Sequence, residues 1–316
     1  MNPFILELIS RRRSSMMYHN PVLLEESVSA LAIVPDGIYV DVTFGGGGHS
    51  RRILEQLSPK GRLIAFDQDK DSAANVPDDP RIVFVPSNFK HLKRFLQYHQ
   101  AYPVNGILAD LGVSSHQFDT PERGFSHRFD GQLDMRMNTA AGISAADVVN
   151  RYSEQRLSEI FYLYGELHDA RRLARLIAKR REDGMIETTQ QLRDTLLDCL
   201  PKGRENKVLS QIFQAIRIEV NSECDVLREF LVQTPEALLP GGRLVVISYH
   251  SLEDKLVKNF IRSGNLEGKI EKDFYGNQLT PFKVITRKAI VPTEEEIETN
   301  SRARSAKLRV AEKVEN

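Results

Sequence analysis

Carboxylates and glycines mark out the chemistry this chain can perform. Tyr39-Val-Asp-Val-Thr-Phe44 alternates like a strand and runs directly into Gly45-Gly-Gly-Gly48, with His49 and Ser50 next. Four glycines strip the side chains from the point where a strand should turn into a helix, so backbone can lie close to a ligand. Apolar residues at 53, 54 and 57 then follow a helical spacing. A second apolar run, Arg62-Leu-Ile-Ala-Phe66, ends in Asp67. That is roughly 20 residues past the first glycine, where an acid in a nucleoside-binding βαβ unit meets ribose hydroxyls. Asp110 closes the apolar run Gly106-Ile-Leu-Ala109 and so stands at a strand's C-terminal edge, where open α/β sheets bind ligands. His250 lies in Ser248-Tyr-His-Ser-Leu-Glu-Asp254, where Ser251 followed by Asp254 is also a helix-start signature. Together these residues describe a nucleoside cofactor site.

The elements that would position them alternate along the chain. Strand-like runs fall at 38–44, 62–67, 81–85, 104–109 and 243–248, with helical patterns at about 22–32, 50–58 and 90–100 between the first four. This predicts an α/β fold with a mostly parallel sheet and helices on both faces. Two later runs, 283–290 and 306–311, predict a terminal antiparallel strand pair. Between about 116 and 215 the patterns are mostly helical. Leu173, Leu176 and Ile177 share one face of a helix whose other face holds Arg171, Arg172, Arg175 and Lys179. Thr188 with Gln191 opens another helix through a capping box. So much helix between two strands predicts an inserted helical subdomain, 116–215, interrupting a domain made of 18–115 and 216–316. Residues 1–17 read as a loosely docked extension; a true start at Met16 or Met17 would also explain them.

Composition narrows the class. The chain is 41% hydrophobic and 27% charged, and no apolar run approaches the ~20 residues of a membrane span. Cys199 and Cys224 offer neither a disulfide framework nor metal-ligand spacing, which suits a cytoplasmic, metal-free protein with both thiols in the core. Lys plus Arg balances Asp plus Glu at 43 each, so any nucleic-acid surface must be local.

The glycine loop lacks the Gly-Lys-Ser/Thr ending of a phosphate-cradling loop, and Ser50 stands where a dinucleotide fingerprint needs glycine. Asp41-x-x-x-Gly45-x-Gly47 resembles instead the S-adenosylmethionine loop of class I, Rossmann-like methyltransferases. Further segments sharpen the likeness: Tyr18-His-Asn-Pro-Val-Leu-Leu24, Asp110-Leu-Gly-Val-Ser-Ser115, Arg123-Gly-Phe-Ser126, Leu133-Asp-Met-Arg-Met137, Phe213-Gln-Ala-Ile-Arg-Ile218, His250-Ser-Leu-Glu-Asp254 and Ser301 to Arg309. In order and over nearly the whole chain, they resemble the bacterial small-subunit ribosomal RNA cytosine-N4 methyltransferase family. Gln132 stands where many members have proline, which loosens one turn, and His116 where some do; neither change removes a charge.

That resemblance implies a methyltransferase domain with a helical substrate-recognition insertion, S-adenosylmethionine as cofactor, and small-subunit ribosomal RNA in an assembling subunit as partner. It maps cofactor contacts onto Gly45, Gly47, Gly48, His49, Asp67, Phe89, Asp110 and Gln117. Asp67 would accept from both ribose hydroxyls, Phe89 would face adenine, and Gln117 would present an amide to adenine or substrate. A cytosine N4 amine is a poor nucleophile, so alignment with the methyl group dominates, aided by an acceptor for one N4 hydrogen. Asp110 is the first candidate for that acceptor and His250 the second. Arg217 and Asn221 share a helix face within reach of RNA or of an interior carboxylate. Arg136 could anchor the insertion to the core through an acid. The alternatives are a methyltransferase acting on another base or nucleic acid, an NAD-binding oxidoreductase, and a non-catalytic S-adenosylmethionine- and RNA-binding assembly factor.

Overall fold

A computed structural model describes residues 21–140 and 142–315; the extension at 1–17 and Tyr18 to Asn20 lie outside them. Strands β1 (Ile38–Asp41), β2 (Arg62–Phe66), β3 (Ile82–Val85), β4 (Val104–Asp110), β5 (Leu238–Ser248), β6 (Phe282–Val284) and β7 (Lys307–Lys313) form one sheet in the order β3-β2-β1-β4-β5-β7-β6. The first five run parallel, and β7 is antiparallel to both its neighbours. Strand order reverses between β1 and β4, which makes their C-terminal ends a topological switch point and a natural ligand crevice.

Alternation along the strands sorts side chains to two apolar faces. Val40, Ile64, Ile107 and Val246 meet Leu227, Phe230 and Phe260 on one side. Tyr39, Leu63, Leu108 and Val245 meet Val28, Ile53 and Leu308 on the other. Both faces are covered, which is why these strands read as nearly continuous apolar runs. The covering helices are α1 (Leu24–Ala30), α2 (Gly48–Leu54), α3 (Leu92–Tyr98), α10 (Glu223–Ala237) and α11 (Ser251–Ser263), and a short α4 (Ser115–Asp119) follows β4.

The predicted strand at 283–290 is shorter than expected. Ile285 and Thr286 both donate their N–H to the Val310 carbonyl, while the Thr286 hydroxyl accepts from Val310 N. The ladder bulges outward there and returns only as a bridge between Ile290 and Leu308.

A second apolar cluster gathers around α5 (Ala145–Arg151), α6 (Glu154–Leu163), α7 (Ala170–Arg180), α8 (Thr189–Leu197) and α9 (Glu205–Asn221). The capping box at Thr188 and Gln191 forms as read. The boundary expected at 215/216 falls inside α9, which continues to Asn221 and stops where Ser222 takes a left-handed conformation. Among the described residues no helix is long and apolar enough to cross a membrane.

Candidate active site

A cleft of about 1800 Å³ opens at the switch point, bounded by the C-terminal ends of β1, β2 and β4 and by α9 of the helical cluster. It exceeds the ~300–1000 Å³ of an ordinary ligand pocket, leaving room for two molecules of nucleoside size. Gly45, Gly48, His49, Asp67, Phe89, Asp110, Gln117 and His250 all line it. Of the sequence candidates only Gly47 does not. Gly47 has φ +75°, and a Cβ there would lie 2.7 Å from the Phe44 ring; at Gly48 a Cβ would meet Pro21 at 2.1 Å. Those two glycines admit protein. Gly46 also lines the cleft, has nothing within 4 Å of its would-be Cβ, and so leaves space for a ligand.

The loop is tied down by acids. Asp41 is buried at the end of β1, where Oδ2 accepts from the Ser50 hydroxyl at 2.7 Å and Oδ1 from Thr43 N. Burial lifts its carboxyl to about 6, against those hydrogen bonds. Asp67 accepts from Gly45 N (2.7 Å), the Ser72 hydroxyl (2.8 Å) and Asp69 N (2.8 Å). A carboxylate offers about four acceptor sites, so this one keeps room for one hydroxyl where the sequence reading gave it two. Burial raises its pKa, opposed by those same donors.

Phe89 stands edge-on to Phe230 with ring centroids 5.3 Å apart and leaves another side to the cleft. Gln117 is already engaged. Its Oε1 accepts from Ser114 N in a capping box, and its Nε2 donates to Asp69 Oδ2 at 2.6 Å. It builds the wall more than it offers a free amide.

Asp110 carries the most useful geometry. Tyr249 donates its hydroxyl to Oδ1 at 2.7 Å, leaving Oδ2 with no hydrogen bond among the described residues and 3.8 Å from His49 Nδ1. Burial pushes the carboxyl up to about 7; the Tyr249 hydrogen bond opposes this, and the nearby Asp41 and Glu253 carboxylates add to it. His49 is buried, with Nε2 3.3 Å from the Val22 carbonyl. Burial lowers it to about 4, so at neutral pH it is an uncharged neighbour of Asp110.

His250 caps α11, one residue before the Ser251 cap read from sequence. Its Nδ1 accepts from Glu253 N at 3.4 Å. Ser251 Oγ instead donates to Glu166, and Asp254 pairs with Arg309 at 2.6 Å. His250 Nε2 lies 3.1 Å from Glu253 Oε1 without the alignment of a hydrogen bond. Arg217 grips Glu223 through Nε (2.8 Å) and Nη2 (2.9 Å), so it serves an interior carboxylate. Glu223, His250 and Glu253 could together hold a metal ion, but the Arg217 guanidinium already occupies both oxygens of Glu223.

Asn221 binds the backbone of Met135 and Met137. Arg136 pairs with Asp134 beside it and reaches no core acid among the described residues, which corrects the anchoring role considered for it. That anchor is Arg123, which joins Asp69 (2.8 Å) to the carbonyls of Arg136 and Met137. Arg171, Arg172, Arg175 and Lys179 on α7 are exposed.

Comparison with known proteins decides the family. A model of the MraW methylase family matches residues 16–314. The chain belongs to that family. Proteins called ribosomal RNA small subunit methyltransferase H are similar to it: one from Bacteroides fragilis is 60% identical over 296 residues, covering 94% of this chain and 97% of the relative. Another from Flavobacterium johnsoniae is 59% identical over 301 residues, and one from Christiangramia forsetii 58% over 299; each alignment covers 95% of this chain and 99% of the relative.

Within this MraW methylase chain, sequence reasoning missed Tyr249 in the cleft wall and the Asp69–Arg123 pair behind it, whereas Asp41 was already part of the glycine-loop pattern. Arg123 sat in a segment already singled out, Arg123-Gly-Phe-Ser126, and an arginine fixed beside glycine was the available signal. Tyr249 directly follows a strand and carried none.

Proposed function

We propose that the chain transfers a methyl group from S-adenosylmethionine to the N4 amine of a cytosine in small-subunit ribosomal RNA. The observation that carries this reading is one cleft with two unlike walls. The sheet side brings the glycine loop, Asp67 and Asp110 together, and the helical side faces them with Lys207, Gln211 and Phe213. The family match and the relatives' shared name support the reading.

The residues present suit the methyl donor. Gly46 leaves open space, Asp67 keeps an acceptor site for one ribose hydroxyl, and Phe89 supplies an aromatic surface. When bound, S-adenosylmethionine supplies the electrophilic methyl and its own leaving group. The chain's work is then alignment and proton handling. Asp110 Oδ2 takes up a hydrogen of the N4 amine as charge develops there, while Tyr249 pins Oδ1 so that the free oxygen keeps one direction. The target base has to leave its stack to reach this depth. The helical unit, which runs to the end of α9 at Asn221, selects the RNA with the exposed basic face of α7.

Labelled S-adenosylmethionine incubated with the protein and, in turn, small subunits, naked ribosomal RNA and DNA, followed by nucleoside digestion, tests this. Label in N4-methylcytidine from small-subunit RNA is expected. Label confined to another nucleoside or to DNA would refute it.

A further inference from the structure

The chain has no net charge, yet one surface away from the cleft is basic and ends in two bare aromatic rings. Helix α11 starts in the cleft wall, where His250 and Glu253 stand, and runs 13 residues, about 20 Å, toward the opposite edge of the sheet. Lys255, Lys258 and Arg262 are exposed and fall at helical spacing on one face. The acids of this helix turn elsewhere, because Glu253 is buried and Asp254 is held by Arg309 and Lys307.

Beyond α11 a short hairpin is bridged by Lys272 and Gln278. Its tip is built: Asp273 accepts from Tyr275 N, from Asn277 N and from the Asn277 side chain, and Gly276 turns at φ +87°. The turn displays Phe274 at 98% exposure and Tyr275 at 86%, their rings 5.7 Å apart and edge to face. Lys269 and Lys272 flank them and, like Lys255 and Lys258, make no ion pair among the described residues. Glu267 and Glu271 are the opposing charges, and Asp273 is consumed by its own turn.

We propose that this stripe and hairpin form a second RNA-binding surface, distinct from the methyl-transfer cleft. The lysines neutralise phosphates along α11, and Phe274 and Tyr275 stack on unpaired bases at its far end. Exposed rings interleaved with unpaired cations are the chemistry of single-strand recognition, since stacking tolerates any base and lysine reads only the backbone. A purely apolar partner would leave the lysines unmatched, and a purely acidic one would leave the rings idle.

The inference rests on the reading of RNA as substrate, and its test separates the two. Phe274→Ala with Tyr275→Ala should raise KM for long small-subunit RNA about ten-fold. It should leave kcat, S-adenosylmethionine affinity and methylation of a short cytosine oligonucleotide confined to the cleft unchanged. Lys255→Gln with Lys258→Gln should lower the slope of log affinity against log salt by about 1.5. Unchanged affinity for long RNA in an active enzyme overturns this surface alone. Equal loss on long RNA and short oligonucleotide also overturns it, because the defect then lies in the fold or cleft. A loss seen only with protein-bearing subunits makes the partner a protein and overturns it too. Failure of the unaltered enzyme to methylate RNA would instead sink the functional reading.

Discussion

At the scale of single residues, the acceptor role proposed for Asp110, with Tyr249 bonded to it, predicts when the site can act. An acceptor for the N4 hydrogen must be ionised, and the surroundings of Asp110 lift it to about 7. Turnover is therefore expected to rise with pH through about 7. Asp110→Asn should abolish that rise and cost on the order of 10²–10⁴ in kcat. Tyr249→Phe removes a donor that favours the carboxylate, so the midpoint should move upward; a pH–rate profile that stays put in both variants refutes the assignment. Stability gives a second readout. A raised carboxyl contributes stability that is fully present below its unfolded pKa, near 4, and is lost as pH rises through the folded value. Asp110→Asn should thus gain on the unaltered protein in melting temperature as pH rises from about 4 to about 7, and keep that gain above it. Asp110 was legible as an acid closing an apolar run. Its partner was not, because a tyrosine after a strand looks the same whether its hydroxyl meets water or a carboxylate.

At the scale of elements, the glycine loop is held in shape by the acid that follows β2. Asp67→Ala strands Gly45 N, Asp69 N and the Ser72 hydroxyl, so S-adenosylmethionine affinity should fall and stability should drop by about 1–3 kcal/mol. Calorimetric titration beside thermal melts checks it, and weaker binding with an unchanged melting point would show that Asp67 meets only the ligand. The sheet was legible wherever both faces are apolar, from β1 to β5. It was less so at 283–290, where a hydroxyl, Thr286 Oγ1, takes the backbone donor Val310 N and ends the strand. Residue type alone cannot announce that exchange. The cap of α11 was misplaced by one for a similar reason: His250 accepts through a ring nitrogen where serine ordinarily would.

At the scale of the whole molecule, two apolar clusters face each other across the cleft, joined by Arg123. Periodicity announced the helical unit, but its packing against the acids at Asp67 to Asp69 is a long-range contact no local pattern encodes. The same layout has a kinetic side. Strand β4 pairs with β5, yet residues 111–237 separate them. During synthesis at ~5–20 residues per second, the β4 edge waits on the order of ten seconds for its neighbour. An unpaired apolar edge is a template for wrong pairing. Ribosome-stalled chains ending before Leu238 should therefore be cut readily by protease within 38–110, and chains extending past Ser248 should resist. The helical unit that walls one side of the cleft in the finished molecule would leave the unfinished one a client for whatever shields nascent strands.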